Sequence, residues 1–118
     1  MVKPAKITAN KTSDEHILDR LYTTGKRRRR ANPETSYTAS LYKKGRPQIA
    51  KKMGEEAVEV VVAAMTGDRK AVIAESGDLL FHLMVLWAEA GVKPAQVWKE
   101  LEHRFGVSGI DEKNSRTL

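Results

Sequence analysis

Lys51-Lys52-Met53-Gly54-Glu55-Glu56-Ala57-Val58-Glu59 and Glu75-Ser76-Gly77-Asp78-Leu79-Leu80-Phe81-His82 flank a short break, Thr66-Gly67-Asp68. Both flanks read as helix, so the break predicts an antiparallel helix pair turning at Gly67. On that geometry Glu59 and Glu75 each lie 8 residues from the tip, and Glu56 and Asp78 each lie 11 residues from it. At about 1.5 Å per residue, the two pairs fall at matching heights, roughly 12 Å and roughly 16 Å along the hairpin. Within each helix the two partners are three residues apart and share a face. Ala63 lies on the face of Glu56 and Glu59, and Leu79 and Leu86 lie on that of Glu75 and Asp78. The carboxylates are therefore expected to point toward the partner helix and not cleanly into water.

Four converging carboxylates repel one another and are costly to desolvate. A hard divalent cation removes that cost. Mg²⁺ takes oxygen ligands, usually a few carboxylates completed by waters and substrate phosphates. The expectation is a Mg²⁺ site formed by Glu56, Glu59, Glu75 and Asp78 inside a helix bundle, open to a phosphate-bearing ligand. The plainer alternative is a solvated acidic face, the default for any single Glu. The matched heights and apolar neighbours favour one site for the set.

A chain of 118 residues bounds the answer to one domain, small enough for dimerisation to add useful burial. It has no cysteine, which excludes disulfides, thiolate metal sites and a thiol nucleophile and fits a reducing cytoplasm. No apolar stretch of the signal-peptide kind opens the sequence, and no uninterrupted apolar run of about 18 residues occurs. A soluble, cytoplasmic protein without membrane partners is expected. The net charge of +6 is unevenly placed. Residues 1–53 carry 14 Lys/Arg against 4 Asp/Glu, and residues 54–118 carry 7 against 11. A basic half beside an acidic helix pair suits a site for an anionic ligand and a metal cation.

Residues 1–11 read as a flexible basic tail, 12–105 as one all-α domain and 106–118 as a polar tail. Thr12 or Ser13 is expected to cap a first helix, with Asp14 and Glu15 in its first turn and Gly25 as its stop. Lys26-Arg27-Arg28-Arg29-Arg30 follows. It reads first as a solvated run, otherwise as a nucleic-acid patch or a phosphate clamp; no aromatic interleaving supports single-strand binding. Ser36 is expected to cap a short helix, Tyr37 to Lys44, ending at Gly45, and Pro47 suits the first turn of the next. That helix runs to about Met65 despite Val58, Val60, Val61 and Val62, because the segment is too long for a strand. The next, about Asp68 to Glu89, is apolar nearly all round and must be buried on several sides. A last helix runs from about Pro94 to Phe105. The fold class is all-α: a small bundle built on a central antiparallel hairpin and completed by oligomerisation.

Glu56-x-x-Glu59, followed after 15 residues by Glu75-x-x-Asp78, resembles the acidic signature of the MazG-like all-α nucleotide pyrophosphohydrolases. Ser36-Tyr37-Thr38-Ala39, Lys52-x-Gly54-Glu55-Glu56-Ala57-x-Glu59 and Glu75-x-x-Asp78-Leu79-Leu80-x-His82-Leu83 are similar, more specifically, to the phosphoribosyl-ATP pyrophosphohydrolases of histidine biosynthesis. The resemblance spans about residues 14–105. It implies Mg²⁺-dependent hydrolysis of phosphoribosyl-ATP to phosphoribosyl-AMP and pyrophosphate. It implies metal-binding roles for Glu55, Glu56, Glu59, Glu75 and Asp78, basic roles for Lys52 and Arg28, and a homodimer or higher homo-oligomer. Gly77 departs from the small residue such as Ala that is usual there, and the arginine run is heavier than the pattern requires.

Within that reading, Glu55 or Glu59 orients or deprotonates the attacking water. Lys52, one turn before Glu56, either meets a phosphate or forms a salt bridge with Glu56 worth a few tenths of a kcal/mol. His82, one turn after Asp78, is a hydrogen-bond partner to it or a satisfied core histidine. Tyr37 reads as a core aromatic before a ring against substrate. Trp87 and Trp98 read as packing residues. A house-cleaning nucleoside triphosphate pyrophosphatase would use the same carboxylates. A basic nucleic-acid-binding module ranks third, because it leaves the acidic pair unexplained and an acidic face repels phosphate backbones.

Overall fold

The structure, a computed structural model, describes residues 15–105, and all regular structure within them is helical. Five α-helices follow in order: α1 Ile17–Arg27, α2 Tyr37–Lys44, α3 Arg46–Thr66, α4 Arg69–Ala90 and α5 Pro94–Arg104. One 3₁₀ turn, Arg28–Arg30, extends α1. The expected tails, 1–11 and 106–118, and the expected cap residues Thr12 and Ser13 lie outside the described residues.

Local chemistry accounts for most boundaries. Ser36 Oγ accepts from Ala39 N–H at 3.2 Å and starts α2. Asp68 Oδ1 accepts from Ala71 N–H at 3.2 Å and starts α4. Pro occupies the first turn of both α3 and α5. A single residue, Gly45, joins α2 to α3 at φ +91°, which an L side chain rarely adopts. Gly67 ends α3 in the left-handed region at φ +76°. The link between the two long helices therefore shrinks to Gly67 and Asp68.

Two boundaries differ from expectation. Helix α1 begins at Ile17, capped by His16, whose Nδ1 accepts from Leu18 N–H at 3.1 Å. Glu15 thus precedes the helix, and the acidic residue of its first turn is Asp19. Gly25 does not stop α1. It is buried within it, facing Thr38 of α2, and the helix runs on to Arg27. A glycine inside a helix costs about 1 kcal/mol against alanine, a penalty that packing overrides here.

Helix α4 organises the core. Its Phe81 and Val85 pack with Leu41 and Ile49, and its Met84 and Ala88 pack with Tyr22. Its most extensive helix contact is with α3, the next with α1. Trp98 brings α5 onto Trp87 edge-on, with ring centroids 5.8 Å apart, and its Nε1 donates to Asp19 at 3.5 Å. Both tryptophans pack, as expected. By length and composition α4 could cross a membrane, with 28% of its apolar window buried. It also carries Glu75 and Asp78, and its apolar side chains serve both core clusters.

The valines of α3 are helical despite their propensity, and three are not in the core. Val58, Val61 and Val62 are 60, 60 and 52% exposed, and Met65 is 81% exposed. Their spacing places them on one stripe of α3.

Candidate active site

Helix α3 supplies Lys52, Glu55, Glu56 and Glu59, and α4 supplies Glu75 and Asp78. Carboxylate oxygens of Glu56, Glu75 and Asp78 all lie within 4.8 Å of one another. A cavity of about 300 Å³ opens beside them, lined by Lys52, Glu55, Glu56, Glu59 and Glu75. The structure thus gathers Glu56 with Glu75 and Asp78 of α4. It sets Glu59 and Glu55 on the same cavity, outside that tightest group.

Glu56 is the unusual member, because its side chain is buried to 1% exposure. Its Oε1 stands 3.6 Å from Lys52 Nζ, an ion pair one turn apart and one of the two readings of Lys52. Its Oε2 is buried with no hydrogen-bond partner. Leaving a charged oxygen in that state costs at least about 1–3 kcal/mol. Glu75 and Asp78 are half-buried, and Glu55 and Glu59 are exposed. Three carboxylates facing one another, one with an orphaned oxygen, are an all-oxygen group that could hold a hard divalent cation.

His82, fully buried, stands behind this group. Its Nδ1 lies 2.6 Å from the Asp78 backbone oxygen, which can only accept, so Nδ1 carries a proton. Its Nε2 lies 2.8 Å from Tyr37 Oη. In the neutral imidazole that nitrogen accepts, and the Tyr37 hydroxyl donates. His82 therefore contacts Asp78 through the backbone carbonyl, not through the carboxylate that the one-turn spacing suggested. The bond steadies the turn of α4 that carries Asp78.

Tyr37 stacks on Phe81 with ring centroids 6.0 Å apart and packs against the core cluster, the first of its two readings. It does not line the acidic cavity. Burial, then the charges of Glu56, Asp78 and Glu55, push its hydroxyl up to about 12.

Arg28 is half-buried and lines neither the acidic cavity nor the basic one that its neighbours form. Sequence reasoning missed Glu89. It receives Arg29 Nη2 at 3.3 Å and lies 3.9 Å from Arg46 Nε, and its backbone oxygen accepts from Arg46 Nη2 at 3.0 Å. Arg29 also lies over the Tyr42 ring, 5.0 Å from its centroid. The acidic residue at the end of an apolar helix and the aromatic of α2 were the available signals, 60 and 13 positions away from Arg29.

The fold and the site define an all-helical protein that gathers carboxylates from two long helices beside a lysine-lined cavity. The chain belongs to the phosphoribosyl-ATP pyrophosphohydrolase family, whose model matches residues 18–105. A phosphoribosyl-ATP pyrophosphatase of Azospirillum brasilense is 59% identical over 100 residues, 85% of this chain and 90% of that protein. One of Rhizorhabdus wittichii is 60% identical over 99 residues, 84% of this chain and 93% of that protein. A third, from Paramagnetospirillum magneticum, is 54% identical over 103 residues, covering 87% and 94%.

Proposed function

We propose that this chain hydrolyses phosphoribosyl-ATP to phosphoribosyl-AMP and pyrophosphate, the second step of histidine biosynthesis, in the cytoplasm and with Mg²⁺. The observation that carries the reading is the Glu56–Glu75–Asp78 group with its orphaned buried oxygen, beside a cavity that Lys52 also lines. Relatives that share most of this chain's length are named for that reaction.

Glu56, Glu75 and Asp78 would hold Mg²⁺, with Glu59 as a further ligand. When bound, the ion supplies charge neutralisation on the phosphate oxygens and on the departing pyrophosphate. The residues of the chain do the rest. Glu55 or Glu59, both exposed and on the cavity, holds a water in line and takes its proton. The water oxygen forms a bond to phosphorus as the bridging P–O bond breaks, and its electron pair leaves with pyrophosphate. Lys52 keeps part of its side chain free, 29% exposed, and presents positive charge to the phosphates. Tyr37 and His82 hold the α4 turn on which Asp78 sits.

The active form is a homo-oligomer built on a central antiparallel hairpin of α3 and α4. Val58, Val61, Val62 and Met65 on α3, with Ile73 (70% exposed) on α4, support a second copy packing there.

Glu59→Gln tests the assignment. It should nearly abolish pyrophosphate release with an unchanged circular dichroism spectrum. Full, Mg²⁺-dependent activity in that variant would remove Glu59 from the site.

A further inference from the structure

The basic run has a structure that a merely solvated run does not need. The last turn of α1 and the 3₁₀ turn wind it so that Lys26, Arg27, Arg29 and Arg30 line one cavity of about 670 Å³. Four cations around one space repel one another. The carbonyl end of α1 offsets part of this for Lys26 and Arg27, the basic residues of its last turn. It does not account for Arg29 and Arg30. Of the four, only Arg29 has an acidic partner among the described residues, Glu89, which it shares with Arg46. Among the described residues, Lys26, Arg27 and Arg30 have no carboxylate within ion-pairing reach. Arg29 is also laid across the Tyr42 ring, so its guanidinium is fixed in place before any ligand arrives.

We propose that this cavity is a phosphate-monoester site and that it holds the phosphate on the second ribose of phosphoribosyl-ATP. The assignment rests on the function proposed above. That substrate carries a triphosphate on one ribose and a single phosphate on another, joined through one adenine. It therefore needs two anion sites well apart. Glu89, which anchors Arg29, follows Asp78 by eleven residues on α4, a rise of roughly 16 Å. A rigid helix thus ties the acidic group to the basic cavity at a separation suited to a nucleotide with phosphates at both ends. An ordinary nucleoside triphosphate has nothing to place there, so the basic cavity selects the substrate while the carboxylates act on it.

The test is the Arg27→Gln/Arg30→Gln double variant, which leaves Arg29, Glu89 and the acidic site intact. Losing two charge-assisted contacts should lower kcat/KM for phosphoribosyl-ATP by about tenfold to hundredfold. The loss should be carried by KM, with kcat within about twofold and thermal stability unchanged. A titration with ribose 5-phosphate, followed by amide NMR signals of residues 26–30, should shift the wild type and leave the variant unmoved. Wild-type kcat/KM in the variant would overturn the assignment to substrate, and phosphate-induced shifts beside it would point to a separate phosphorylated ligand. Salt-sensitive binding of a single-stranded oligonucleotide, lost in the variant while kcat/KM stays, would overturn it in favour of nucleic acid. If the wild type releases no pyrophosphate at all, the proposed function fails by itself. The ribose 5-phosphate titration then decides the cavity alone, and an absence of shifts overturns it.

Discussion

Replacing Glu56 with Gln should stabilise the metal-free protein and remove its response to Mg²⁺. The Glu56 carboxylate is 1% exposed and lies within 4.8 Å of those of Glu75 and Asp78. At an effective dielectric of about 20, two unit charges at that distance repel by about 3 kcal/mol. Glu75 and Asp78 are half-buried, so solvent screens each term below that figure. Against the two repulsions stands one attraction of similar size, from Lys52 at 3.6 Å. The substitution therefore removes two unfavourable terms and one favourable one. Gln keeps the shape, and its amide can donate to a facing carboxylate. The net gain should be about 1–2 kcal/mol, a rise of several degrees in Tm for a domain of this size. The assay is thermal unfolding by circular dichroism in chelator, repeated with Mg²⁺ added stepwise. Wild type should gain about 2.7 kcal/mol once Mg²⁺ reaches a hundred times its Kd. The variant should gain little and release no pyrophosphate. A variant less stable than wild type in chelator, or one with an equal Mg²⁺ shift, would refute the view that Glu56 is held buried for a cation.

Tyr37→Phe removes the donor to a fully buried imidazole nitrogen and should cost about 1–3 kcal/mol in urea unfolding, and an unchanged midpoint would show the Tyr37–His82 bond to be dispensable. Val61→Lys puts a charge in the exposed valine stripe and should shift the assembly toward monomer in sedimentation; an unchanged mass would place the oligomer contact elsewhere. Tyr42, like Tyr37, has its hydroxyl pushed up to about 12, chiefly by burial. Both are protonated below their unfolded value of 10, so the stability linked to them is complete there and is lost as pH rises from 10 toward 12. Ultraviolet titration should show Tyr37 and Tyr42 ionising well above 10, coincident with alkaline unfolding.

Much of this was legible in the chain because backbone chemistry speaks locally. Ser36, Gly45, Pro47, Gly67, Asp68, Gly91 and Pro94 mark boundaries by what their side chains permit, and each stands at or within a residue of a helix end. The Glu56, Glu75 and Asp78 members of the acidic set were legible in two spacings of three on two helices, whereas Glu59, matched to Glu75 by the same spacing, stands outside the tight group. What failed depended on distant partners or on the choice of atom. Thr12 and Ser13 were better capping residues on paper than His16, which caps through a ring nitrogen. Gly25 reads as a stop because its packing against α2 is invisible locally. The one-turn spacing of Asp78 and His82 could not tell a carbonyl contact from a carboxylate one. Nothing in five consecutive basic residues shows that four of them surround a single space, or that Glu89 and Tyr42 fix one of them.

Pyrophosphate release from phosphoribosyl-ATP, with and without Mg²⁺ and beside ATP and dUTP at equal concentration, tests the central claim most directly. Fast, Mg²⁺-dependent release from phosphoribosyl-ATP alone is the predicted result. Equal or faster release from ATP or dUTP would contradict it, keeping the acidic site but moving the chain to a house-cleaning role. Absence of release from all three would return the carboxylates to a structural role.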